Sequence, residues 1–388
     1  MGRRMKKRSS SQQKLKKNVL EQNLCTGCGA CVSLCPYQVI HADRTVQLFE
    51  CDLTDGKCYA FCPRTSADYK EIRGNLFNIR EVTPEIGAVK GYYLSRAADP
   101  QLRARTQHGG TVTALLETAM AEGLINSAIV AELSGALEQE GRLVENPAYL
   151  RDRAKSRFTV SPTVAAFNRL PDGHAGKVGV VATPCQALAL AKMRTAKISG
   201  YAKIESLGLV IGLFCGWTLA AEKFQALLNR YHVPVEALGR MDIPAGKNIL
   251  ELHTADSAVT PVPMTEVDAC VRTACRYCVD STAEFADLSV GAARFGADAG
   301  EMRGWNQIIV RSVRGRNLLD LALKKGTLEV REAPAEALTE LKKAAADKKR
   351  KALAAIVEKS RSAKKLLYLK DDDPVVKKYL GVQKKRTK

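Results

Sequence analysis

From residue 91 onward, apolar and polar positions alternate between two periods. Residues Thr111–Glu122 place Val112, Leu115, Leu116, Ala119 and Met120 near helical spacing, between a Gly-Gly-Thr start and Gly123. Short continuous apolar runs, Ser127–Leu133, Val178–Ala182 and Leu207–Cys215, read as buried strands. Helices are expected after two of them, over Cys185–Met193 behind Pro184 and over Leu219–Tyr231. Strands alternating with helices predict an α/β sheet. After about residue 335 the pattern becomes one long Ala/Leu/Lys helix, broken at Asp371-Asp372-Asp373-Pro374.

These periods divide the chain. Residues 1–20 read as a basic N-terminal arm, 21–75 as a compact cysteine-rich unit, 85–335 as the α/β body and 336–388 as a basic helical tail, with Gly74, Pro84 and Gly87 marking a linker. The chain of 388 residues has room for two or three cores. No stretch approaches 18 uncharged apolar residues, so no membrane span is expected. Arg3-Arg4 lacks the apolar segment of an export signal, and the chain is expected to be cytoplasmic.

Charge sharpens the division. The net charge is +19. Residues 1–17 hold eight Lys/Arg and no acid, and residues 340–388 hold 17 Lys/Arg and six acids. The middle is balanced. Nucleic-acid arms have this charge but come with aromatic interleaving and motifs that are missing here, so docking on an acidic partner subunit or a solvated helix is expected instead.

Twelve cysteines in a reducing compartment point to metal or redox chemistry rather than disulfides. Cys25-Thr-Gly-Cys28-Gly-Ala-Cys31-Val-Ser-Leu-Cys35-Pro36 has the C-x2-C-x2-C-x3-C-P spacing of an iron–sulfur cubane. A second run, Cys51 to Cys58 to Cys62-Pro63, ends in the same C-x3-C-P. In two-cluster ferredoxins the fourth cysteine of each run serves the other cluster. That rule assigns Cys25, Cys28, Cys31 and Cys62 to one cluster and Cys35, Cys51 and Cys58 to a second. Asp55 stands where the second run's middle cysteine belongs. An aspartate-ligated cubane, a three-iron cluster and a cubane completed by a displaced residue all satisfy this pattern; zinc is the competing use of such thiols. Further on, Cys275-Arg-Tyr-Cys278 suits zinc, a redox pair or half a cluster. Cys185 and Cys215 follow strands, whose C-terminal ends converge on one crevice, so these four can form a third site. The alternative is that Cys185 and Cys215 are small buried hydrophobes.

Six ordered segments resemble the beta-subunit family of coenzyme F420 hydrogenases and dehydrogenases: Gln107-His108-Gly109-Gly110-Thr111-Val-Thr113, Ser156-Arg157-Phe158-Thr159-Val-Ser161-Pro162, Pro184-Cys185-Gln186, Phe214-Cys215, Arg240-Met241-Asp242-Ile243, and Cys275 to Gly291. The family includes flavoprotein subunits of F420-reducing hydrogenase and F420-dependent formate dehydrogenase, and 7-hydroxymethyl chlorophyll a reductase. The resemblance implies FAD in the α/β body beside a cubane on Cys185, Cys215, Cys275 and Cys278, leaving Cys270 structural. It implies flavin contacts from Gln107, His108, Gly109, Gly110, Thr111, Thr113, Ser156, Arg157, Thr159, Ser161 and Arg303. Gly-Gly before a helix lets backbone approach a phosphate, or simply makes a tight turn. His108 and Arg157 stand where the family often has Asp and Lys, which bears on the identity of the hydride partner.

The fold expected is therefore α+β joined to α/β: a two-cluster ferredoxin-like unit, a flavin-binding domain and a basic helical tail. The function expected is an oxidoreductase subunit with FAD and three iron–sulfur clusters. It would exchange hydride with coenzyme F420 and pass single electrons to a catalytic subunit of formate dehydrogenase, hydrogenase or heterodisulfide reductase type. The rivals are an F420-independent, ferredoxin-coupled reductase and a non-catalytic relay module. No molybdenum, tungsten or nickel site is legible.

Overall fold

In the computed structural model, residues 9–134, 137–154, 158–196, 198, 200–244, 246–295, 302, 304–362 and 364–381 are described. Eight strands form the central sheet: β1 (Gly91–Ala97), β2 (Ser127–Leu133), β3 (Gln139–Val144), β4 (Val178–Ala182), β5 (Leu207–Leu213), β6 (Leu288–Ala292), β7 (Asn306–Val310) and β8 (Leu328–Glu332). Their order is β8-β1-β7-β6-β5-β4-β2-β3. The inner strands β2, β4, β5 and β6 are mutually parallel. The flanking strands β7, β1, β8 and β3 pair antiparallel.

Side chains alternate between two cores, as a sheet buried on both faces requires. Val130, Leu209, Ile211 and Val290 pack with helices Thr111–Ala121 and Val313–Lys324. Ile129, Val180 and Val210 face helices Thr163–Asn168 and Pro184–Thr195. Beyond those helices lies the cysteine-rich unit, whose Ala30, Phe61 and Tyr69 belong to the same core. Gly29 permits that docking: its φ is +83°, and a Cβ there would come within 2.6 Å of the Ala165 backbone nitrogen. A small sheet of Leu238–Asp242, Ile249–Thr254 and Val259–Pro263 forms a separate lobe with its own core.

Both charged ends differ from the sequence reading. The arm folds from Ser10 onward: Ser10 caps the helix Ser11–Leu15, and Leu15 and Val19 are buried. Residues 1–8 lie outside the described residues. The helix Tyr69–Leu76 runs from the cysteine-rich unit into the expected linker, which also holds a buried Ile86. The expected tail is a helix, Ala335–Ser360, but not a peripheral one. Leu353, Ile356, Leu366, Tyr368, Val375 and Val376 complete the main core. Lys349 is 1% exposed and ion-paired with Glu284, which also meets Arg73 at 3.5 Å. The helix's apolar positions are mostly alanines, so a lysine-rich sequence conceals its buried stripe.

Candidate iron–sulfur and flavin site

The four parallel strands end on one edge of the sheet, and two chemical neighbourhoods form there. The first is built from thiols. Cys185 opens the helix after β4, Cys215 follows β5, and Cys275 and Cys278 flank the end of a short helix. Electrostatic interactions join Cys215 to Cys275, Cys185 and Cys278. Distant segments thus bring these four thiols together. In the cysteine-rich unit, Cys31 interacts with Cys62, Cys25 and Cys28. Cys58 interacts with Cys35 and Cys51. The grouping matches the crossed pattern of the two runs. Asp55 is exposed and accepts from Thr54 Oγ1 at 3.3 Å; no described contact ties it to those three thiols.

Burial pushes the Cys28, Cys31, Cys58, Cys185 and Cys215 thiols up, and Cys62 up to about 11. A bound cation must therefore displace protons to make them thiolates. Cys278 goes the other way. Burial raises it, but Lys348 and Arg64 outweigh burial and hold it below the ordinary thiol range. Lys348 Nζ also donates to Cys215 O at 2.7 Å and Asp280 O at 3.0 Å. Lys192, buried behind Cys62, donates to Cys62 O at 2.6 Å and is pushed down to about 8 by its own burial.

The thiol groups fit a cluster by the donors around them. Thr218 N donates to Cys275 Sγ at 3.4 Å, Thr45 N to Cys25 Sγ at 3.5 Å and Arg64 N to Cys62 Sγ at 3.4 Å. Such bonds to sulfur are a lever on cluster potential. Among the described residues no group of three or more His, Cys, Asp or Glu forms a single-ion site. A cubane is several atoms wide and needs its thiolates farther apart than one ion does.

The first and inner groups are neighbours. Cys185 packs against the core that holds Cys28, the two thiols interact electrostatically, and the Thr26 hydroxyl favours the thiolate of both. Arg272 fixes the approach, donating to Cys25 O at 2.8 Å and Thr26 O at 3.3 Å. Arg64 does the same from the other side, donating to Ala274 O at 3.1 Å. Thr26, Arg64, Arg272, Lys192 and Lys348 were missed by sequence reasoning; only Thr26 lay inside a recognisable motif.

The second neighbourhood is the loop after β1. Gly110, in the left-handed region at φ +74°, caps the helix Thr111–Ala121. A Cβ on Gly109 would lie 2.7 Å from Asn306 Oδ1 and 2.8 Å from Gly304 O. Both glycines thus have reasons inside the protein, a turn and a close packing contact. Thr111 Oγ1 pairs with Ser95 Oγ at 3.0 Å, and Thr113 is buried on the helix. Gln107 Nε2 donates to Met241 O at 2.8 Å and Asp242 Oδ1 at 3.2 Å, joining the loop to the small lobe. His108 O accepts from Thr106 Oγ1 at 2.6 Å. Gln107 Oε1 and Arg240 Nε are buried with no partner among the described residues. Orphaned polar atoms at both sides of Asp242 suit a polar ligand, so this loop fits a bound cofactor.

Thr159 and Ser161 do not join that loop through any described contact. Thr159 Oγ1 takes a bond from Gln139 and donates to Leu137 O at 3.2 Å; Ser161 Oγ donates to Glu140 O at 3.0 Å. Their hydroxyls fasten the segment to β3 and its approach. Ser156, Arg157 and Arg303 lie outside the described residues. The conspicuous acids after Cys278 are scaffold: Asp280 accepts from Thr282 N and Glu284 N, and Asp287 from Val210 N, each at 2.9 Å.

Packing contacts link the two neighbourhoods. Asn306 Nδ2 donates to Gly291 O at 3.2 Å, and Gly291 lies against the Phe214 ring, one residue before Cys215. Three strand steps separate β1 from β5, about 14 Å.

An α/β sheet with a ferredoxin-type unit packed on its cofactor edge defines an iron–sulfur oxidoreductase subunit. Three family models match the chain: 4Fe-4S binding domain over residues 19–41, and the N-terminal and C-terminal parts of the coenzyme F420 hydrogenase/dehydrogenase beta subunit over 92–168 and 175–336. The chain belongs to that beta-subunit family. It is 28% identical over 272 residues to the coenzyme F420 hydrogenase subunit beta of Methanothermobacter thermautotrophicus, covering 69% of this chain and 94% of the relative. It is 24% identical over 335 residues to an F(420)H(2) dehydrogenase subunit of Methanosarcina mazei, covering 81% and 86%. Against the coenzyme F420-dependent sulfite reductase of Methanocaldococcus jannaschii it is 28% identical over 325 residues, 79% of this chain but 47% of that longer relative. A chain of the F420-reducing hydrogenase complex from Methanosarcina barkeri shares the fold, with a TM-score of 0.64, 22% identity and coverage of 71% and 95%. No described helix is long and apolar enough to cross a membrane.

Proposed function

We propose that this chain is the flavin-bearing electron-transfer subunit of an F420-dependent oxidoreductase, carrying electrons between coenzyme F420 and a partner catalytic subunit. The observation that carries the reading is the packing of Cys185 against the core that holds Cys28, beside a cofactor loop on the same sheet edge. When bound, FAD exchanges a hydride with a deazaflavin and single electrons with iron–sulfur clusters. The residues supply place and charge. The loop Gln107–Thr113 and the Asp242 side of the small lobe hold the flavin, with the helix N-terminus at Thr111 toward its phosphates. Asn306, Gly291 and Phe214 keep that loop packed toward the inner thiolates. Cys185, Cys215, Cys275 and Cys278 hold the inner cluster, and Lys348 and Arg64 offset its negative charge. Cys25, Cys28, Cys31 and Cys62 hold the next. Cys35, Cys51 and Cys58 hold the outermost, with Asp55 the carboxylate in position along the run to complete it. Cys28, Cys31 and Cys62 are buried and the four inner thiols are half-buried.

The test is anaerobic. Protein purified without oxygen is analysed for iron, sulfide and flavin, then mixed with reduced F420. The expected result is one FAD, about twelve irons for three cubanes, and bleaching of the flavin band. A flavin that bleaches with dithionite but not with reduced F420 overturns the F420 assignment in favour of another donor. Iron without flavin overturns both enzyme readings.

A further inference from the structure

The outermost thiols differ from the rest in what surrounds them. Cys35 is exposed, and around the second run four large apolar side chains face solvent: Tyr37 at 38%, Leu48 at 50%, Phe49 at 65% and Leu53 at 64%. Tyr37 and Phe49 stack edge-on at 6.1 Å, so they form one surface and not scattered exposures. Apolar patches of this kind on a folded chain mark interaction sites. Glu50 and Asp52 are interleaved with them, both exposed. The one lysine in that run, Lys57, is turned away to Gly200 O at 2.6 Å. Lys14, Lys16 and Lys17 lie on the neighbouring helix, whose next residue Asn18 reaches Tyr59. In a chain of net charge +19, two carboxylates and four exposed apolar side chains thus form a collar beside the exposed Cys35.

The backbone of this collar is fixed before any partner arrives. Ser11 N donates to Leu53 O at 2.7 Å, Ser11 Oγ donates to Thr54 O and accepts from Gly56 N, each at 2.7 Å. Gln12 accepts from Cys51 N at 2.8 Å and donates to Phe49 O at 2.7 Å.

We infer that this collar is the docking face for a one-electron redox protein whose cofactor edge is apolar and ringed by Lys and Arg. The inference rests on the proposed cluster at Cys35, Cys51 and Cys58. One electron passes from the reduced cluster to the partner's oxidised centre, and no bond forms or breaks. Opposite charge would steer the encounter and make it salt-dependent. The basic residues at 3–8 of this chain are the rival occupant, but that segment offers only Met5 to an aromatic and leucine surface.

The test uses holoprotein reduced with one equivalent of dithionite and freed of excess. Its oxidation by cytochrome c, a basic one-electron acceptor, is followed by stopped flow and compared with oxidation by a small neutral quinone. The expected rate with cytochrome c falls about tenfold from low to high ionic strength, while the quinone rate holds. Glu50→Lys with Asp52→Lys is expected to lower the low-salt rate about tenfold at unchanged quinone rate and iron content. Should that double variant lose iron, Leu48→Ser takes its place, with a slower rate whose salt dependence is retained. A cytochrome rate indifferent to salt and to these variants overturns the inference. So does a rate that rises when residues 1–8 are removed, which would give the face to the basic arm. A second outer cluster missing from the wild-type electron paramagnetic resonance spectrum instead removes the cluster assignment itself.

Discussion

The inner thiols and the outermost thiols are made from the same residue by opposite means. Cys185, Cys215, Cys275 and Cys278 come from segments spread over the sheet edge, and Lys348 and Arg64 stand behind them. Cys35 and Cys51 come from loops and Cys58 from the short helix Lys57–Phe61, with acids and exposed apolar side chains around them. The first arrangement needs the whole fold. The second needs only its own loops and the helix that clasps them. The difference separates two tasks: holding a charged cluster inside the protein next to a cofactor, and presenting one to another protein.

Variants can break this contrast, and the largest effect belongs to the inner group. Cys275→Ser is expected to remove about four irons per chain, leaving the outer clusters' resonance signals in place. Iron analysis with resonance spectra checks it; unchanged iron removes the inner cluster from the account. Next is Lys349→Met. Glu284 keeps Arg73 at 3.5 Å but loses its closer partner in a buried site. Breaking such a pair costs about 3 kcal/mol, visible as a lowered midpoint in denaturant. A midpoint unmoved would return the helix Ala335–Ser360 to a peripheral role. Lys348→Met sharpens the comparison more gently. Removing a cation beside Cys215 and Cys278 is expected to make the inner cluster harder to reduce at unchanged iron content, as followed by a resonance-monitored redox titration. A shift confined to the outer clusters would contradict the placement. The smallest effect is expected from Gln12→Ala, which frees Cys51 N and Phe49 O at a cost of about 1 kcal/mol. It should loosen only the outermost cluster, seen as faster iron loss to a chelator.

The same contrast explains what could be read in advance. The two cysteine runs were legible because iron–sulfur ligation is local and its spacing survives as a pattern. The helix Thr111–Ala121 and strands β2, β4 and β5 were legible through their apolar periodicity. The inner group was visible only as cysteines following strands, and its assembly depended on topology. Lys348, Lys349 and Lys192 left no signal, because a buried lysine is written with the same letter as a solvated one. The helix Ala335–Ser360 was misjudged for that reason. Gly109 and Gly110 were legible as a turn before a helix, but the packing of Gly109 on Asn306 joins residues nearly two hundred apart in the chain.

The central claim is that the inner group connects the cofactor loop to the outer clusters through Cys185, Thr26 and Cys28. It is tested most directly by rapid-freeze resonance spectroscopy of wild-type and Cys275→Ser protein mixed anaerobically with reduced F420. The account predicts that both proteins bleach their flavin, while the outer clusters become reduced only in the wild type. Outer clusters reduced at equal rates in both proteins would contradict it.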